Sequence, residues 1–561
     1  MRLAPSTVDL GSSLARSASI ARYQHERFAF VRPPELDGQR TRAPVLIVGA
    51  GPVGLALAID LALHGIRSVL LDDGDTVSVG SRAICWSKRT LEIFDRLGVA
   101  ERMLAKGVTW QVGRLFHRER EVYAFDLLPD AGHKFPAFVN LQQYYVEEYL
   151  IDRAREFPGL IELRFKSRVV GVRQTSDGVT AEVETPAGRY ALAGDYLVAC
   201  DGVRSTVRGL LGLDCVGQGF EERFLIADVE MAADFPSERW FWFEPPFHAG
   251  QSALLHKQPD DIYRIDLQLG PDADPEVEKR SETVIPRIRA MVGDRLFELD
   301  WVSVYTFQCR RLERFVHDHV IFAGDSAHIV SPFGARGGNG GIQDADNLAW
   351  KLAAVTKGEA PSRLLATYDE ERIRGADENI LNSARATSFM SPKSQTERIF
   401  RDEILALAAT EPFARRLVNS GRLSLPCSLA GLSLQSDDDP AFAGGLVPGS
   451  PCVDAPVVDA DGNEGWLLNW LGQEFVVLSF GRPVDVPDGV RRVVVGAACV
   501  PSAPDLSYVD DVAGLVAARY EGLPGAAYLI RPDAHVAARF VEPTLARIAV
   551  ALHQALGKEV R

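Results

Sequence analysis

Residues 45–72, VLIVGAGPVGLALAIDLALHGIRSVLLD, decide the fold of this chain. They read as a buried strand, a glycine loop, a helix with apolar residues at helical spacing and a second strand, which make a βαβ unit of about 30 residues. In such a loop Gly49 permits the tight turn, Gly51 the approach of a pyrophosphate and Gly54 the close packing of the helix. Asp72 ends the second strand, where a carboxylate can bind ribose hydroxyls. The stretch predicts a dinucleotide-binding domain but does not separate NAD from FAD, because both contain adenosine diphosphate.

Two further apolar runs read as strands that end in residues suited to a ligand crevice. One run leads into Asp201-Gly202 and the other into Gly324-Asp325. Because the carboxyl ends of parallel strands meet at one edge of a sheet, we expect these pairs to lie near the glycine loop.

The rest of the chain divides by its pattern. Residues 224–269 alternate polar and apolar side chains with many aromatics, which is typical of an antiparallel sheet. Helical spacing follows Gly341 to about Leu417, and beyond a loop-rich linker the tail alternates strand and helix candidates. The fold class is therefore α/β, or α+β overall. We expect an N-terminal extension at 1–43, a discontinuous dinucleotide-binding domain at 44–219 and 309–395, an inserted substrate domain at 220–308, a helical region and linker at 396–450 and a tail domain at 451–561.

Composition excludes several classes of protein. The chain has 61 basic and 76 acidic residues, a net charge of −15, mixed along its length, so we expect no nucleic-acid partner. The start has no secretory signal, and the longest uncharged apolar run, 43–59, is interrupted by glycines, so we expect a cytoplasmic protein without a membrane partner. The cysteines have no C-x-x-C or metal-ligand spacing, which predicts reduced thiols and no metal site. They are Cys85, Cys200, Cys215, Cys309, Cys427, Cys452 and Cys499.

DGVRSTVR at 201–208 and GDSAH at 324–328 resemble the two later fingerprints of the single-component FAD-dependent aromatic hydroxylases. The likeness extends from Val45 to about Glu371. It implies a Rossmann-like FAD-binding domain of the aromatic hydroxylase type, with NADH or NADPH as co-substrate. It also implies that Asp325 binds ribityl or ribose hydroxyls, and that Asp201-Gly202 serves FAD and the passing nicotinamide.

The resemblance adds further residues to the expected FAD site. The family places an Arg after the second strand and a Gln before a helix against FAD, and the matching positions are Arg82 and Gln143. SPFGARGGNGG at 331–341 occupies the place where the family puts a proline over the isoalloxazine and backbone N–H groups at its N1/O2 edge. A helix starting near Gly341 would add its positive end there. Many relatives carry Gly-Gln-Gly-Met where this chain has ARGG at 335–338, so the amides that meet the ring stay open. The cofactor-binding residues expected from this part of the chain are Gly324, Asp325, Pro332, Gly337, Gly338 and Asn339.

Other segments resemble one branch more closely. RAICWSKR at 82–89, WFEPPFH at 242–248 and RID at 264–266 are similar to the branch often named for 3-(3-hydroxyphenyl)propionate hydroxylase. The tail, with AYLIRPD at 527–533, is similar to the thioredoxin-like C-terminal domain of phenol and polyketide hydroxylases. Without a C-x-x-C pair we expect it to be redox-inert and to supply packing or homodimer contacts.

The resemblance implies a reaction in which NADH or NADPH reduces FAD, O2 adds to give the flavin C4a-hydroperoxide, and a small phenolic compound is hydroxylated. The pocket should be apolar with one proton acceptor. We expect Arg264 to hold a substrate carboxylate and Pro332 to flank the flavin. The other candidates, chosen because they lie on strands of the inserted domain or at its return, are Trp242, His248, His256 and Tyr305.

Two alternatives stay open: a flavoprotein oxidase or epoxidase on the same fold, and a flavin-bound protein without hydroxylase turnover. Three weaker resemblances are set aside. WFWFEP at 240–245 departs from the halogenase signature W-x-W-x-I-P at the isoleucine, GDSAH lacks the second glycine of a hydrolase elbow, and no Lys-Ser or Lys-Thr follows Gly337 as a phosphate-binding loop requires.

Overall fold

The structure, a computed structural model, describes residues 23–80, 82–270, 272–332, 334–418, 425–496 and 504–559. Most of the expected N-terminal extension, Phe333 of the glycine-rich segment and Cys499 therefore lie outside the described residues. From Tyr23 the chain lies along the first domain, where the Tyr23 ring stacks on Tyr144 with centroids 4.3 Å apart.

The predicted βαβ unit is confirmed and forms the centre of the first sheet. Strand Arg42–Val48 pairs in parallel with Ser68–Leu71 and with Gly188–Ala199, and helix Pro52–Leu63 follows the glycine loop. Successive side chains from Val45 to Val48 of the central strand are all buried, as in a parallel sheet covered on both faces. The strands lie in the order Val316–His317, Val320–Phe322, Gly188–Ala199, Arg42–Val48, Ser68–Leu71 and Ile161–Arg164, and an antiparallel ribbon, Arg168–Thr175 and Gly178–Thr185, joins at Gly188–Ala199.

The predicted antiparallel sheet is also present, and we call it the middle sheet. Its strands lie in the order His328–Ile329, Glu298–Arg311, Val216–Glu230, Ile262–Leu269, Ser252–Lys257, Arg239–Phe243, Val112–His117 and Arg120–Asp126. Neighbours are antiparallel except where Arg239–Phe243 pairs in parallel with Val112–His117. The sheet thus includes a hairpin at 112–126, which lies in the range expected for the FAD-binding domain. Local pattern does not reveal a strand partner more than a hundred positions away, and the domain boundaries stay a prediction.

The two faces of the middle sheet have different neighbours. On one face, which we call the outer face, Leu225, Leu255 and Ile265 pack with helix Ser281–Val292. On the other, the inner face, Phe224, Phe241 and Phe243 pack towards helices Ala366–Met390 and Gln395–Ala408.

The remaining elements include a small sheet and the other helices. The small sheet has the order Cys85–Ser87, Phe138–Asn140 and Val108–Trp110. The helix expected near Gly341 begins four residues earlier, at Gly337, and ends at Thr356. Among the described helices, none combines the length and apolarity needed to span a bilayer. The other helices are Lys88–Leu97, Ala100–Lys106, Gln143–Arg155, Thr206–Leu210, Pro275–Glu278, Pro412–Leu417, Leu515–Tyr520 and Leu545–Ala555.

The tail forms its own sheet, as predicted. Val476–Phe480 pairs in parallel with Arg491–Val495 and antiparallel with Ala527–Ile530. The full order is Glu464–Trp466, Pro456–Asp459, Leu506–Asp510, Arg491–Val495, Val476–Phe480, Ala527–Ile530 and Val536–Phe540. The thioredoxin-like identity of this unit stays a prediction.

Candidate active site

The glycine loop has the geometry that its spacing predicts. Gly49 has φ +107°, and a Cβ there would lie 2.5 Å from the carbonyl oxygen of Cys200. A Cβ at Gly54 would overlap the carbonyl oxygen of Gly49, whereas a Cβ at Gly51 would meet no atom within 4 Å. Gly49 and Gly54 are thus required by packing, and Gly51 leaves open space at the start of helix Pro52–Leu63. The free N–H groups of that first turn suit an anion such as a pyrophosphate.

Asp72 holds this loop against the end of the second strand. One carboxylate oxygen accepts the Ala50 N–H at 2.6 Å and the other accepts the Gly74 N–H at 2.8 Å. Burial raises the pKa of Asp72, while the two backbone N–H groups act in the opposite direction. Each oxygen keeps a further lone pair, which a ribose hydroxyl can use.

Asp201 shapes the turn after its strand. Its carboxylate accepts the Ser205 hydroxyl at 2.6 Å and the Val207 N–H at 3.0 Å, and so fixes the start of helix Thr206–Leu210. Gly202 lies at the beginning of this turn. The structure therefore gives the Asp201 side chain a role in holding the loop.

Gln143 and Glu147 clamp the segment that carries Arg82. Gln143 accepts the Ala83 N–H at 3.0 Å and donates to Glu147 at 2.7 Å, and Glu147 accepts the Ser78 N–H at 2.5 Å. The Arg82 side chain is exposed. Gln143, together with Glu147 one turn along the helix, thus fixes the backbone on both sides of Arg82.

Asp325 lies where these elements meet. Its side chain is accessible from the cleft, yet the surrounding protein atoms raise the pKa of the carboxyl group by desolvation, with His328 and Arg82 opposing the shift. A Cβ at Gly337 would lie 3.8 Å from an Asp325 oxygen, and a Cβ at Gly338 would lie 3.4 Å from Ala83. The start of helix Gly337–Thr356 is therefore placed between Asp325 and the Arg82 segment.

The helix also meets the glycine loop directly. A Cβ at Gly341 would lie 2.6 Å from Val53 and 3.1 Å from the Cα of Gly324. The structure thus brings the sequence-predicted FAD segments to one cleft, with backbone N–H groups of two helix starts beside it.

The Asn339 side chain forms hydrogen bonds within the protein. Its buried amide accepts the Ser87 N–H at 2.9 Å and donates to the Cys85 carbonyl at 2.8 Å, so the side chain joins the helix to the strand Cys85–Ser87. The Asn339 side chain therefore has a positioning role, and a contact of its backbone N–H with the cofactor stays a prediction. Pro332 is exposed, and its carbonyl accepts the Ala335 N–H at 3.1 Å.

Arg264 also departs from expectation. Its Nε and Nη2 each donate to an oxygen of Asp228 at 2.8 Å, and its Nη1 donates to the Arg82 carbonyl at 3.2 Å. Because this planar fork already binds a carboxylate of the chain, we no longer assign it a substrate carboxylate. Arg264 instead ties the middle sheet to the Arg82 segment.

The aromatic and histidine candidates fall in different places. Trp242 lies on the outer face, where it stacks on Phe116, because side chains alternate along the strand. The expectation that Trp242 lines the pocket is therefore wrong. His248 donates from Nε2 to the Gln268 carbonyl at 2.6 Å and anchors a turn. Tyr305 lies on the inner face, opposite Phe224.

His256 lies buried on the inner face beside Cys85, with 3.9 Å between Nδ1 and Sγ. Burial, reinforced by Arg239 and Arg264, lowers the pKa of His256 well below its usual value, so the imidazole is neutral. Burial raises the pKa of Cys85 to about 12, so the sulfur stays a thiol.

A mostly apolar cavity opens beside the glycine-rich segment, which it touches at Gly334 and Arg336. Its other walls are the inner face of the middle sheet and helix Ala366–Met390. The apolar lining includes Leu115, Phe241, Phe243, Ala386, Phe389 and Met390.

One cluster, between the middle sheet and helix Gln395–Ala408, has the composition of a metal site. His117, Glu244 and Asp402 place possible ligand atoms within 4.8 Å of one another. Arg401 donates to Glu244 at 2.5 Å and to Asp402 at 2.8 Å, which engages both carboxylates in ion pairs.

Comparison with known families matches residues 42–383 to the FAD binding domain. The chain belongs to this family, and it is a flavin monooxygenase. The match spans the cleft from strand Arg42–Val48 to helix Ala366–Met390. FAD is therefore the cofactor for which the cleft is built, and the expectation drawn from the later fingerprints is confirmed.

Curated relatives of this flavin monooxygenase include enzymes with different substrates. It is 36% identical to a flavin-dependent monooxygenase of Mycobacteroides abscessus over 59% of this chain and 71% of the relative. It is 31% identical to 12-dehydrotetracycline 5-monooxygenase/anhydrotetracycline 6-monooxygenase of Streptomyces rimosus, over 88% and 95%. It is 29% identical to 3-(3-hydroxy-phenyl)propionate/3-hydroxycinnamic acid hydroxylase of Mycolicibacterium gilvum, over 92% of each chain.

Solved structures show the same fold. The flavin-dependent monooxygenase PieE, in complex with FAD and substrate, superposes with a TM-score of 0.78 at 23% identity, over 92% of this chain and all of that one. The p-nitrophenol 4-monooxygenase of Pseudomonas putida superposes with a TM-score of 0.61 at 27% identity, over 69% and 99%.

Sequence reasoning missed the residues of the cavity wall. Arg239 directly precedes the aromatic run 240–245 and was not among the candidates, although it shares a face with Phe241 and Phe243. Strand alternation could have found it, once that face was known to point towards the flavin cleft. Asn382 and Phe389 carried no signal, because their helix reaches the cavity only through tertiary packing.

Proposed function

We propose that this flavin monooxygenase uses NADH or NADPH and O2 to hydroxylate a small phenolic compound. The observation that carries the proposal is the position of the apolar cavity, which adjoins the flavin cleft at Gly334 and Arg336. A ring in this cavity would lie beside the segment that the family places against the isoalloxazine. The named relatives support an aromatic substrate, since one is a hydroxylase of 3-(3-hydroxy-phenyl)propionate and another acts on tetracyclic compounds.

The residues of the cleft suit FAD. Gly51 and the first turn of helix Pro52–Leu63 would bind the pyrophosphate, Asp72 a ribose, and Asp325 the ribityl or ribose hydroxyls. When bound, FAD supplies hydride acceptance from the nicotinamide and activation of O2. The start of helix Gly337–Thr356 would stabilise negative charge at the ring through its N–H groups and dipole.

The cavity contributes by excluding water and orienting the ring. Its phenylalanine and methionine side chains offer an apolar wall, which strengthens the electrostatic interactions made inside. The neutral His256 offers one hydrogen-bond donor and one acceptor at the inner face, where its Nδ1 lies against the Cys85 thiol.

A panel of phenols, scored for nicotinamide consumption, product mass and peroxide together, tests this function. We expect consumption that rises with a suitable phenol and a product heavier by one oxygen atom. Peroxide with no oxygenated product would indicate an oxidase, and consumption unaffected by every phenol would overturn the proposal. Polycyclic phenols belong in the panel because of the tetracycline relatives.

A further inference from the structure

Arg239 projects from the middle sheet into the wall of the substrate cavity. It begins strand Arg239–Phe243 and lies opposite His256, which in turn lies opposite Arg264. Residues directly opposite each other share a face, so all three belong to the inner face. Arg239 lines the cavity together with Gly334 and Arg336.

The other arginines of this region have partners in the chain. Arg114 donates to Glu238 at 3.0 Å, Arg336 donates to Asn379 at 3.0 Å, and Arg264 forms the bidentate pair with Asp228. For Arg239, the described part of the chain provides no carboxylate within 4.0 Å, and its buried Nε has no hydrogen-bond partner there. Burial lowers the pKa of this guanidinium group, although Cys85 and Asp266 act in the opposite direction.

Asp266 attracts the Arg239 charge but forms no ion pair with it among the described residues. It lies two residues along the strand from Arg264 on the same face, and burial raises its pKa to about 6. Its Oδ1 also has no partner among the described residues. Asp266 therefore acts on Arg239 only through space, and the N–H donors of the guanidinium keep no carboxylate partner among the described residues.

The Arg239 side chain is half-buried, and its enclosed Nε without a partner costs free energy of folding, which an apolar residue packed against Phe241 would avoid. A bound anion would offset this cost. The guanidinium plane offers paired N–H donors that match a carboxylate, and it also binds a single phenolate oxygen strongly.

We propose that Arg239 is the anion-binding residue of the substrate cavity, and that the substrate is an aromatic compound with an acidic oxygen, either a side-chain carboxylate or a phenolate. The inference rests on the proposed function for the identity of the cavity as the substrate pocket. It replaces Arg264, whose fork is engaged by Asp228, as the residue that selects an anionic substrate.

Ligand binding followed by the flavin absorbance change tests the assignment without turnover. The probes are 3-(3-hydroxyphenyl)propionate, its methyl ester, the 3-methoxy analogue of the acid, and the methyl ester of that analogue. In the FAD-loaded protein, Arg239→Gln should weaken binding of the recognised anion by about tenfold or more. If Arg239 binds the carboxylate, the variant should bind both acids more weakly than the wild type does, and both esters equally well. If Arg239 binds the phenolate, the variant should bind the acid and the ester with a 3-hydroxyl group more weakly, and the acid and the ester with a 3-methoxy group equally well.

Two further variants make the result specific. Arg239→Lys keeps the charge and should recover part of the affinity for the selected anion. Arg280→Gln removes an exposed arginine of the same domain and should leave all four dissociation constants unchanged. Because Arg239 has no ion pair among the described residues, Arg239→Gln should retain FAD and unfold at or above the wild-type temperature. Equal weakening of all four probes, or no weakening of any, would overturn the assignment.

The outcomes separate this inference from the proposed function. Charge-selective loss of binding, with none of the probes or phenols hydroxylated, leaves Arg239 as an anion site and defeats the hydroxylase proposal. Hydroxylation of a phenol with no charge-selective effect of Arg239→Gln supports the proposed function and defeats the role of Arg239.

Discussion

At the scale of single residues, Asp266 shows how burial changes an ionisable group at the inner face. Burial raises its pKa to about 6 although Arg264 and Arg239 lower it, and Asp228 raises it further. The folded protein then binds a proton more tightly than the unfolded chain, whose aspartate pKa is about 3.9. Stability is therefore lost as pH rises from about 4 to about 6, and the loss persists above that range.

Asp266→Asn should remove this pH-dependent loss, because the amide is uncharged at every pH. We expect the variant to gain stability relative to the wild type as pH rises from 4 to 7, by up to about 3 kcal/mol. Urea unfolding of the FAD-loaded protein at several pH values measures the difference. Parallel pH profiles for the two proteins would show that the carboxyl group titrates normally.

Asp325 gives the second prediction at this scale. Asp325→Ala should weaken FAD binding by about 1.5–3 kcal/mol, the range for a hydrogen bond that involves a charged group, which is roughly tenfold or more. Reconstitution of the apoprotein with FAD measures the dissociation constant. Asp177→Ala, at an exposed turn between strands of the ribbon, is the matched control and should bind FAD normally. A loss below about threefold for Asp325→Ala would remove it from the flavin ligands.

At the scale of elements, the glycine loop separates a packing requirement from a ligand requirement. Gly54→Ala should destabilise the apoprotein, because its Cβ would overlap the Gly49 carbonyl oxygen. Gly51→Ala should leave apoprotein stability unchanged, since its Cβ meets open space and its φ of −76° suits an L-residue. The same Cβ should nevertheless lower FAD affinity, because it stands where the pyrophosphate approaches. Equal unfolding midpoints for the two variants, or normal FAD binding by Gly51→Ala, would contradict this division.

Elements with strong local signals could be predicted from the sequence, and those set by tertiary pairing could not. The βαβ unit, with its glycine spacing, is encoded in consecutive residues. The pair Arg264–Asp228 depends on the register of two strands, which no local pattern specifies. Helix Gly337–Thr356 begins four residues before the expected start. Glycines have low helix propensity, but Gly341 packs on Val53, and this tertiary contact prevails.

At the scale of the whole molecule, the tail is joined to the flavin-binding domain by a fully buried ion cluster. Arg531 of the tail donates to the two oxygens of Glu371 at 2.5 and 2.9 Å, and to Asp533 at 2.6 Å. Lys351 donates to the same Glu371 at 2.6 Å and lies on the helix that starts at the cleft. The tail is thus connected to helix Gly337–Thr356 through Glu371 and Lys351, and directly through Asn347, which donates to Asp533 at 3.0 Å.

Arg531→Met should strongly destabilise the protein, because Glu371 and Asp533 would keep their charges in a buried site with one cation fewer. Although burial acts in the opposite direction, Arg531 and Lys351 hold the pKa of Glu371 well below its usual value, so the carboxylate stays ionised. Removing one partner of such a buried pair costs about 3–5 kcal/mol, which urea unfolding would detect. Arg547→Met breaks a partly exposed pair with Asp439 in the same tail and should cost less than about 1 kcal/mol. Similar losses for the two variants would mean that the buried cluster contributes no more than a surface ion pair, and that apolar packing alone holds the tail in place.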